Sequence, residues 1–493
     1  MSFTFDLSPS FRHLLLSVAA VVATGCGGDD PAPAETDSGT LDTGVADGSS
    51  DSPTEAGADV ADATPDTPTS DPKPVVLALS AAGHDRLFGL AWDATGDAVY
   101  GTGAISDAAG ADADTAFFVV KMKADGSVDK SFGVDGIARK NVIAKKGGEV
   151  ARGIVVQSSG KIVVAGTVEH AGATDDRDRD LALVRFTTDG KVDTTFGTEG
   201  VVVLDLSPGE LAGTTYLADG QWGLSVFPGD QLLVTGSLKA TGRTDTDFAL
   251  VKLSADGARD KTFGTDGLFT LDIDNTSASP RTATILTDGS AVLSGYYRDK
   301  DSIVRPVLAK VKPDGTADKT FGKDGVFNDV ILPSATEAYG AALQGTSFVT
   351  VGYGRATATE SLDWLSLRVT AGGALDKTFG KDGVARLDLA GQNDNGRALV
   401  VLPDQRILLV GGGRPTATNS DAMVALLSKD GLPDTTFGTN GVRTYDLGGV
   451  NDFFWAVAVS PKKDRIALGG VRGVDATTTE DDESAILMLP LPK

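Results

Sequence analysis

One short motif recurs six times along this chain and constrains its fold more than any other feature. Each copy has the core Asp-Gly…Asp-x-x-Phe-Gly-x-x-Gly, except that the fifth copy has Gly372 and Gly373 in place of Asp-Gly. The motif phenylalanines are 64, 67, 58, 58 and 58 residues apart, and the Phe-Gly pairs are Phe132 and Gly133, Phe196 and Gly197, Phe263 and Gly264, Phe321 and Gly322, Phe379 and Gly380, Phe437 and Gly438. A repeat of this length with short alternating apolar runs is typical of a β-propeller rather than of a helical solenoid.

Each period contains four predicted strands. In the second period these are a hairpin over 152–166 with a Ser-Gly turn, a third strand over 181–186 and a fourth over 200–205. The motif lies in the loop between the third and fourth strands. Its glycines permit positive φ angles, its Asp can close an Asx turn, and its Phe, which has no polar group, is expected to pack between adjacent blades.

Counting hairpins instead of motifs gives seven units. We expect the second strands of the hairpins to end at Gly101, Gly166, Gly236, Gly295, Gly352, Gly411 and Gly469. The last unit has a hairpin over 455–470 and a third strand over 485–489 but no fourth strand, whereas residues 75–80 form an apolar strand before the first hairpin. An N-terminal strand that completes the last blade would close the ring and remove exposed edges. The sequence therefore predicts an all-β, seven-bladed β-propeller of four-stranded blades over residues 75–493.

The repeats resemble the delta-60 repeat family, β-propeller-type modules of large bacterial surface proteins. The resemblance covers nearly all of residues 75–493 and rests on the motif core, which the seventh unit lacks. It implies the fold and an extracytoplasmic setting. It implies no common reaction or ligand and therefore assigns no site residues.

The N-terminus has the pattern of an export signal. Residues 14–23 form an apolar run that is too short to span a bilayer, which takes about 20 residues, but has the length of a signal-peptide h-region. The tetrapeptide at 23–26, Ala-Thr-Gly-Cys, resembles the lipobox of bacterial lipoproteins, in which the cysteine is acylated. We expect residues 1–25 to be a signal peptide and Cys26 to carry the lipid, although a lone cysteine can also be a free surface thiol or a small buried residue. The expected location is extracytoplasmic, with the lipid in the bacterial outer membrane.

Residues 26–74 have the composition of a linker. From residue 27 to residue 74 the chain has twelve Asp and Glu, one Lys and no aromatic residue. Such a segment cannot bury enough apolar surface to offset the loss of chain entropy on folding. We expect it to be a disordered acidic tether that joins the lipid to the propeller.

Composition excludes several classes of function. The chain has 68 acidic and 44 basic residues, a formal net charge of −24, one Cys and three His. This charge disfavours nucleic-acid binding, which needs Lys and Arg against phosphates, and one thiol excludes an intrachain disulfide or a multi-thiolate metal site. The sequence also lacks a Gly-x-Ser-x-Gly elbow, and no helix follows its Gly-rich segments to form a phosphate site. We therefore predict no catalytic residue and no cofactor, and we expect a monomer.

One polar signal recurs with the repeat, an acid just before each third strand. Its members are Asp112, Asp114, Asp178, Asp180, Asp245, Asp247, Asp301, Asp363, Asp421 and Asp481, the last followed by Asp482 and Glu483. The structural interpretation is that each carboxylate accepts backbone N–H groups where a loop enters a strand. The alternative is a set of ligands for Ca²⁺ or for a basic partner, although one or two oxygens per blade are few for a six- to eight-ligand site.

Two hypotheses on function remain. The first is a non-enzymatic binding or structural module of the cell envelope that presents one propeller face to a protein or a glycan. The second is a propeller enzyme, a lactonase, lyase or hydrolase with a metal or carboxylate site in the central funnel. The first strands, which we expect to line the axis, include Gly-Ile-Val-Val, Gly-Leu-Ser-Val, Thr-Ala-Thr-Ile and Ala-Leu-Val-Val. These small and aliphatic stretches carry no catalytic group, so we favour the binding module.

Overall fold

The computed structural model describes residues 72–80, 83–108, 113–144, 148–170, 178–212, 215–389, 391–414, 419–474 and 482–492. This part of the chain contains thirty β-strands and no α-helix. None of the described residues belongs to a helix long and apolar enough to cross a membrane. The predicted signal peptide, Cys26, almost all of the predicted linker, Asp112 and Asp481 lie outside the described residues.

Twenty-eight strands form seven antiparallel four-stranded sheets, which are the blades of a seven-bladed β-propeller. The predicted fold is therefore confirmed. In order within each sheet, the blades are blade 1, β2 (Asp85–Trp92), β3 (Ala98–Ser106), β4 (Thr115–Lys123) and β5 (Ile137–Lys140); blade 2, β6 (Val150–Val156), β7 (Ile162–His170), β8 (Asp178–Phe186) and β9 (Val201–Leu204); blade 3, β12 (Gly220–Val226), β13 (Leu232–Lys239), β14 (Thr246–Leu253) and β15 (Leu268–Leu271); blade 4, β16 (Ala278–Ile285), β17 (Ala291–Arg298), β18 (Val304–Val311) and β19 (Val326–Phe327); blade 5, β20 (Ala335–Gln344), β21 (Ser347–Arg355), β22 (Asp363–Val369) and β23 (Val384–Leu387); blade 6, β24 (Asn395–Val401), β25 (Ile407–Gly413), β26 (Asp421–Leu427) and β27 (Val442–Tyr445); and blade 7, β28 (Phe453–Val459), β29 (Arg465–Arg472), β30 (Glu483–Pro490) and β1 (Val75–Leu77). A separate hairpin, β10 (Glu210–Ala212) with β11 (Thr215–Leu217), lies in the chain between blades 2 and 3.

The N-terminal strand closes the ring as predicted. Strand β1 pairs antiparallel with β30, so that Val75 lies opposite Ile486. The strand spans 75–77 and is shorter than the predicted 75–80. The reason lies in the next residues, because the N–H groups of Leu79 and Ser80 donate to the Asp85 carboxylate, at 2.9 and 3.2 Å, and turn the chain into blade 1.

The hydrophobic core is divided among the junctions between blades. Buried apolar residues form seven clusters, each built from two neighbouring blades. At the junction of blades 1 and 2, for example, Phe117 and Phe132 share a cluster with Val164. Because alternate side chains of a strand point to opposite faces of its sheet, each blade contributes to the cores on both sides. The core is therefore complete only in a closed ring.

The first half of the repeated motif forms a turn whose Asp also pairs with a basic side chain. The Asp193 Oδ1 accepts hydrogen bonds from the N–H and Oγ1 of Thr195, at 3.2 and 2.7 Å. Its Oδ2 accepts from the Nε of Arg185 on the third strand, at 2.8 Å. The same two-residue turn recurs at the motif aspartates of the other five copies.

The second half of the motif connects a blade to the next one. The Phe196 side chain is fully buried, and a Cβ added to Gly257 of blade 3 would lie 3.0 Å from its ring. The N–H of Gly197 donates to the carbonyl oxygen of Asp256, also in blade 3, at 3.2 Å. The first five copies all make this bond to the following blade. Five of the six copies of the motif therefore supply the same contact to the neighbouring blade.

Candidate functional site

The first strand of every blade carries a β-bulge at the same place. Consecutive first strands contact one another, and β28 contacts β2, so these seven strands form the innermost circle of the propeller. In blade 2, Ala151 pairs with Gly166 and Gly153 with Ala165, which leaves Arg152 unpaired between them. A bulge of this kind re-aims the side chain of the extra residue. The seven bulged residues, which we name the axial ring, are Phe88, Arg152, Trp222, Arg281, Tyr339, Arg397 and Trp455.

A glycine in the second strand makes each bulge sterically feasible. An added Cβ would lie 2.3 Å from the Val150 carbonyl oxygen at Gly166 and 1.9 Å from the Glu337 carbonyl oxygen at Gly352. The glycines with this close approach are Gly103, Gly166, Gly236, Gly295, Gly352, Gly411 and Gly470.

The prediction that the second strands end at a glycine is therefore wrong. These strands continue for two to five residues beyond the predicted glycines. The glycine stands opposite the bulge, inside the strand, because a side chain there would collide with the bulged backbone. In blades 1 and 7 the residues in this position are Gly103 and Gly470 rather than Gly101 and Gly469.

Cationic and aromatic side chains alternate around the axial ring. The guanidinium carbon of Arg281 lies 3.8 Å from the ring centroid of Trp222 and 4.8 Å from that of Tyr339. The guanidinium of Arg152 lies 4.7 Å from Trp222 and 5.4 Å from Phe88. All four distances are within the roughly 6 Å over which an aromatic face attracts a cation.

The alternation continues through blade 6 and ends between blades 7 and 1. Arg397 lies 4.5 Å from the Tyr339 centroid and 4.7 Å from that of Trp455. A ring of seven cannot alternate completely, and the two aromatic neighbours, Trp455 and Phe88, meet edge to face at 5.2 Å and 78°. The side chains of the ring thus form a continuous set of stacked contacts.

The charge of Arg281 is compensated within the propeller. Its Nε donates to the Oε1 of Glu337 at 2.8 Å, and the two side chains are 3% and 2% exposed. Tyr353 also hydrogen-bonds to Glu337. The pKa of Tyr353 is raised well above its ordinary value, mainly by burial and secondly by the negative charge of Glu337. The phenol therefore stays protonated and donates to the same carboxylate.

Arg397 differs from Arg281 in its electrostatic environment. Its Nε is buried without a hydrogen-bond partner, and among the described residues no carboxylate forms an ion pair with it. Burying a polar N–H group without a hydrogen-bond partner costs free energy. Arg397 is therefore the ring residue best suited to receive an anion.

The axial ring lines an open cavity of about 190 Å³. All seven ring residues line it, together with Thr282, Ala283, Gly340, Ala341, Ala398 and Leu399. The described lining thus consists of guanidinium, aromatic, hydroxyl and small apolar groups. Such groups can stack on a flat ligand and donate bidentate hydrogen bonds to an oxyanion.

In four blades the ring residue immediately precedes the small and aliphatic stretch that we expect to line the axis. Arg152 precedes Gly-Ile-Val-Val, and Arg397 precedes Ala-Leu-Val-Val. In every blade the ring residue is followed by Gly, Ala or Thr, because adjacent first strands approach closely here. A Cβ at Gly89, for example, would lie 2.7 Å from the Arg152 carbonyl oxygen. This pairing of a large residue with a small one is the sequence signal that identifies the ring.

The aspartates predicted before the third strands have different partners in different blades. Backbone N–H groups of Arg179 and Gly209 donate to Asp178, each at 2.8 Å. Other members contact side chains, namely Asp114 with Asn141, Asp180 with His170, Asp245 and Asp247 with Arg243, Asp301 with Lys300, and Asp363 with Arg386. Each of these pairs stays within its own blade, and the pairs do not converge on one site.

A different set of acids, located just before the first strands, accepts hydrogen bonds from backbone N–H groups. This is the role that we expect of the aspartates before the third strands. Asp219 accepts from Leu206 at 2.6 Å and from Ser207 at 3.1 Å, and Asp394 accepts from Leu389 at 2.8 Å. The full set is Asp85, Glu149, Asp219, Asp394 and Asp452, all at most 1% exposed. Each stands three residues before a ring residue, a spacing that the sequence shows once the ring is known.

Burial is the main influence on the titration of these acids. It raises the pKa of Asp219 to about 8 and that of Glu149 to about 7, against the opposing effect of the backbone hydrogen bonds. The pKa values of Asp394 and Asp452 rise to about 6 for the same reason.

Among the described residues, two trios of carboxylates have the geometry to hold a cation, with oxygens within 4.8 Å of one another. They occupy equivalent places, one acid on a third strand, one after the fourth strand and one before the next first strand. The trios are Asp180, Asp205 and Asp219, and Asp421, Asp446 and Asp452. Asp180 and Asp421 belong to the predicted set of weak metal candidates. Each trio offers three carboxylates, whereas Ca²⁺ takes 6–8 oxygens.

Comparison with known proteins agrees with the architecture. A family model described as a domain of unknown function (DUF5122) beta-propeller matches residues 157–196, which run from blade 2's hairpin turn to its motif phenylalanine. No curated protein sequence matches the chain at a significant level. The chain is thus similar to β-propeller repeats over part of blade 2.

Several solved structures are similar at low identity. A protein of unknown function from Dyadobacter fermentans is 10% identical, with 85% of this chain and 98% of that chain covered and a TM-score of 0.42. A PL25 ulvan lyase is 8% identical, with coverage of 84% and 93% and a TM-score of 0.41. The Trypanosoma rangeli sialidase in complex with sialic acid is 10% identical, with coverage of 75% and 56% and a TM-score of 0.38.

Proposed function

We propose that this chain is a lipid-anchored binding module of the bacterial cell envelope, built from delta-60-type repeats, and that it holds its ligand at the axial ring without transforming it. The observation that carries the proposal is the ring itself. Seven equivalent bulges present three guanidiniums and four aromatic side chains to one cavity. These are the residue types that dominate recognition sites.

The chemistry of the cavity favours binding over catalysis. General acid–base catalysis depends on a side chain whose pKa lies near the working pH. Glu149 and Asp219 have such pKa values, but their carboxylates are bonded to backbone N–H groups. The described groups that face the cavity are suited to stacking and to hydrogen-bond donation.

The anchor would place this ring at a distance from the membrane. The acidic segment up to residue 74 is long enough to extend by at least about 40 Å as a flexible coil, and its charge favours extension. Acyl chains on Cys26, each CH₂ contributing about 0.8 kcal/mol, would hold the protein durably at the membrane.

Cell fractionation tests the anchor. We expect wild-type protein in the membrane fraction and Cys26→Ser in the soluble extracytoplasmic fraction. Retention of the variant in the membrane after detergent-free washing would contradict lipidation at Cys26.

A retention experiment tests the binding module. Immobilised full-length protein and the Arg152→Gln/Arg397→Gln variant are incubated with soluble envelope glycans and proteins, and the retained material is analysed by mass spectrometry. We expect the wild type to retain material that the variant does not retain, with masses equal to those in the input. A retained or released product of altered mass would support the enzyme instead.

A further inference from the structure

We propose that the axial ring binds a carboxylated sugar residue at the end of an acidic glycan. This inference rests on the proposed function and names the ligand class of the same site. Three properties of the cavity carry it: its size, the uncompensated guanidinium of Arg397, and the aromatic rings that line the cavity beside that guanidinium.

The size of the cavity limits the ligand to a small group. Pockets for drug-sized molecules have volumes of roughly 300–1,000 Å³, whereas this cavity has about 190 Å³. A cavity of this volume suits one ring-sized residue. A polymer would therefore enter with its end residue while the rest of the chain stays outside.

Charge complementarity requires the bound group to be an anion. Arg281 already has Glu337 as its counter-charge at 2.8 Å. Arg397 has a buried Nε without a hydrogen-bond partner and no ion pair among the described residues. A ligand carboxylate would supply the missing counter-charge, because the guanidinium fork matches two carboxylate oxygens.

The aromatic rings beside Arg397 favour a sugar ring. Tyr339 and Trp455 flank this guanidinium at 4.5 and 4.7 Å, and both rings also line the cavity. Their exposed ring atoms can contact the apolar C–H groups of a pyranose.

The hydrogen-bonding groups of the lining favour a saccharide over an acidic peptide. The Arg and Trp side chains of the ring only donate hydrogen bonds. Every sugar hydroxyl can accept from these donors, whereas in a peptide backbone only the C=O groups can accept, and its N–H groups would find few acceptors among the described side chains.

Calorimetric titration of full-length protein in mild detergent tests the proposal. The probe is a glucuronate-terminated oligosaccharide, compared with the same compound methyl-esterified at its terminal carboxyl, a sulfate-terminated analogue and an acidic hexapeptide. We expect the carboxylate form to bind at least about 10-fold more tightly than the ester, and its affinity to fall as salt is added.

Variants at one residue assign the effect to Arg397. We expect Arg397→Gln to weaken binding of the carboxylate form at least about 10-fold and Arg397→Lys, which keeps the charge without the fork, to have an intermediate effect. Arg443→Gln is the matched control, because Arg443 also stacks on an aromatic ring of blade 6, Phe437, at 4.3 Å, outside the cavity lining. Equal melting temperatures establish that the variants are folded.

The outcomes separate this inference from the proposed function. Equal affinity for the acid and the ester, tighter binding of the sulfate or the peptide, or no saccharide binding would each overturn the carboxylated-sugar assignment. In those cases the proposed function still stands if the wild type retains envelope material that the Arg152→Gln/Arg397→Gln variant does not. Failure of that retention as well would overturn both.

Discussion

The motif loops and the axial ring both follow the repeat, but they differ in what is repeated. In the motif loops the side chains themselves recur, and each has an internal partner, as with Asp193 on Thr195 and Arg185. In the axial ring the backbone bulge and its opposing glycine recur, while the side chain changes from blade to blade.

The difference indicates which residues the fold requires. A motif phenylalanine fills the junction with the next blade, so that the same residue is needed each time. The bulge requires a glycine opposite and a small residue after it, but it accepts Phe, Arg, Trp or Tyr at the bulged position. The fold does not fix the side chains of the ring, so they are available to contact a ligand. The side chains of the motif loops stabilise the turns and the junctions between blades, which we call the frame.

The largest effect on stability should follow from removing the strand that closes the ring. Deletion of residues 75–77 removes β1 and exposes the edge of β30, which we expect to lower the melting temperature by many degrees and to promote aggregation. Deletion of 30–65 is the matched control, because that segment is predicted not to pack. Thermal melting of both variants checks this, and equal losses would contradict the separate roles of strand and linker.

Within one blade, a motif phenylalanine should matter for stability and not for binding. Phe196→Ala should lower the free energy of unfolding by about 3–5 kcal/mol, because Phe196 is fully buried, and Phe196→Leu should cost less. Urea unfolding measures the loss. If the folded Phe196→Ala protein lost ligand retention while the Arg397→Gln protein kept it, the division between frame and ring would be wrong.

The buried acids before the first strands should behave as part of the frame, with a pH dependence. The folded pKa of Glu149, about 7, lies above its ordinary value of 4.5, so its stabilising contribution is full below about pH 4.5 and is lost as the pH rises through 7. The loss amounts to about 3 kcal/mol by linkage. Comparing urea unfolding of wild type and Glu149→Gln across this range isolates the effect, and a constant difference between them would contradict it.

The smallest effect should come from Ca²⁺. If the aspartates before the third strands are structural, Asp180→Asn and Asp247→Asn should change stability little, because the amide oxygen can still accept a hydrogen bond from His170 or Arg243. Ala at the same positions should cost about 0.5–1.5 kcal/mol for the lost hydrogen bond. Ca²⁺ near its Kd would add only about 0.4 kcal/mol by mass action. The check is melting with Ca²⁺ and with chelator. A rise of many degrees that both Asn variants abolish would make these acids metal ligands and part of a second site.

The repeat made the blade count, the four-strand unit and the closing strand predictable. These features depend on local patterns, namely alternating apolar runs and turn residues, which can be recognised in one amino-acid sequence. The end of β1 was less predictable, since it depends on Asp85 accepting hydrogen bonds from Leu79 and Ser80. The partners of the aspartates before the third strands could not be predicted either. Arg243 and Arg386 contact them through side-chain geometry, which the spacing of residues in the sequence does not determine.

The sequence by itself determined that this chain is a closed seven-bladed propeller, because the periodic pattern of strands repeats seven times and the N-terminal strand supplies the one that the last blade lacks. Only the tertiary structure showed that Phe88, Arg152, Trp222, Arg281, Tyr339, Arg397 and Trp455 form one ring. The physical reason is distance along the chain. These residues lie about one repeat apart, and only the closure of the propeller, with a bulge in each first strand, brings their side chains to a common axis.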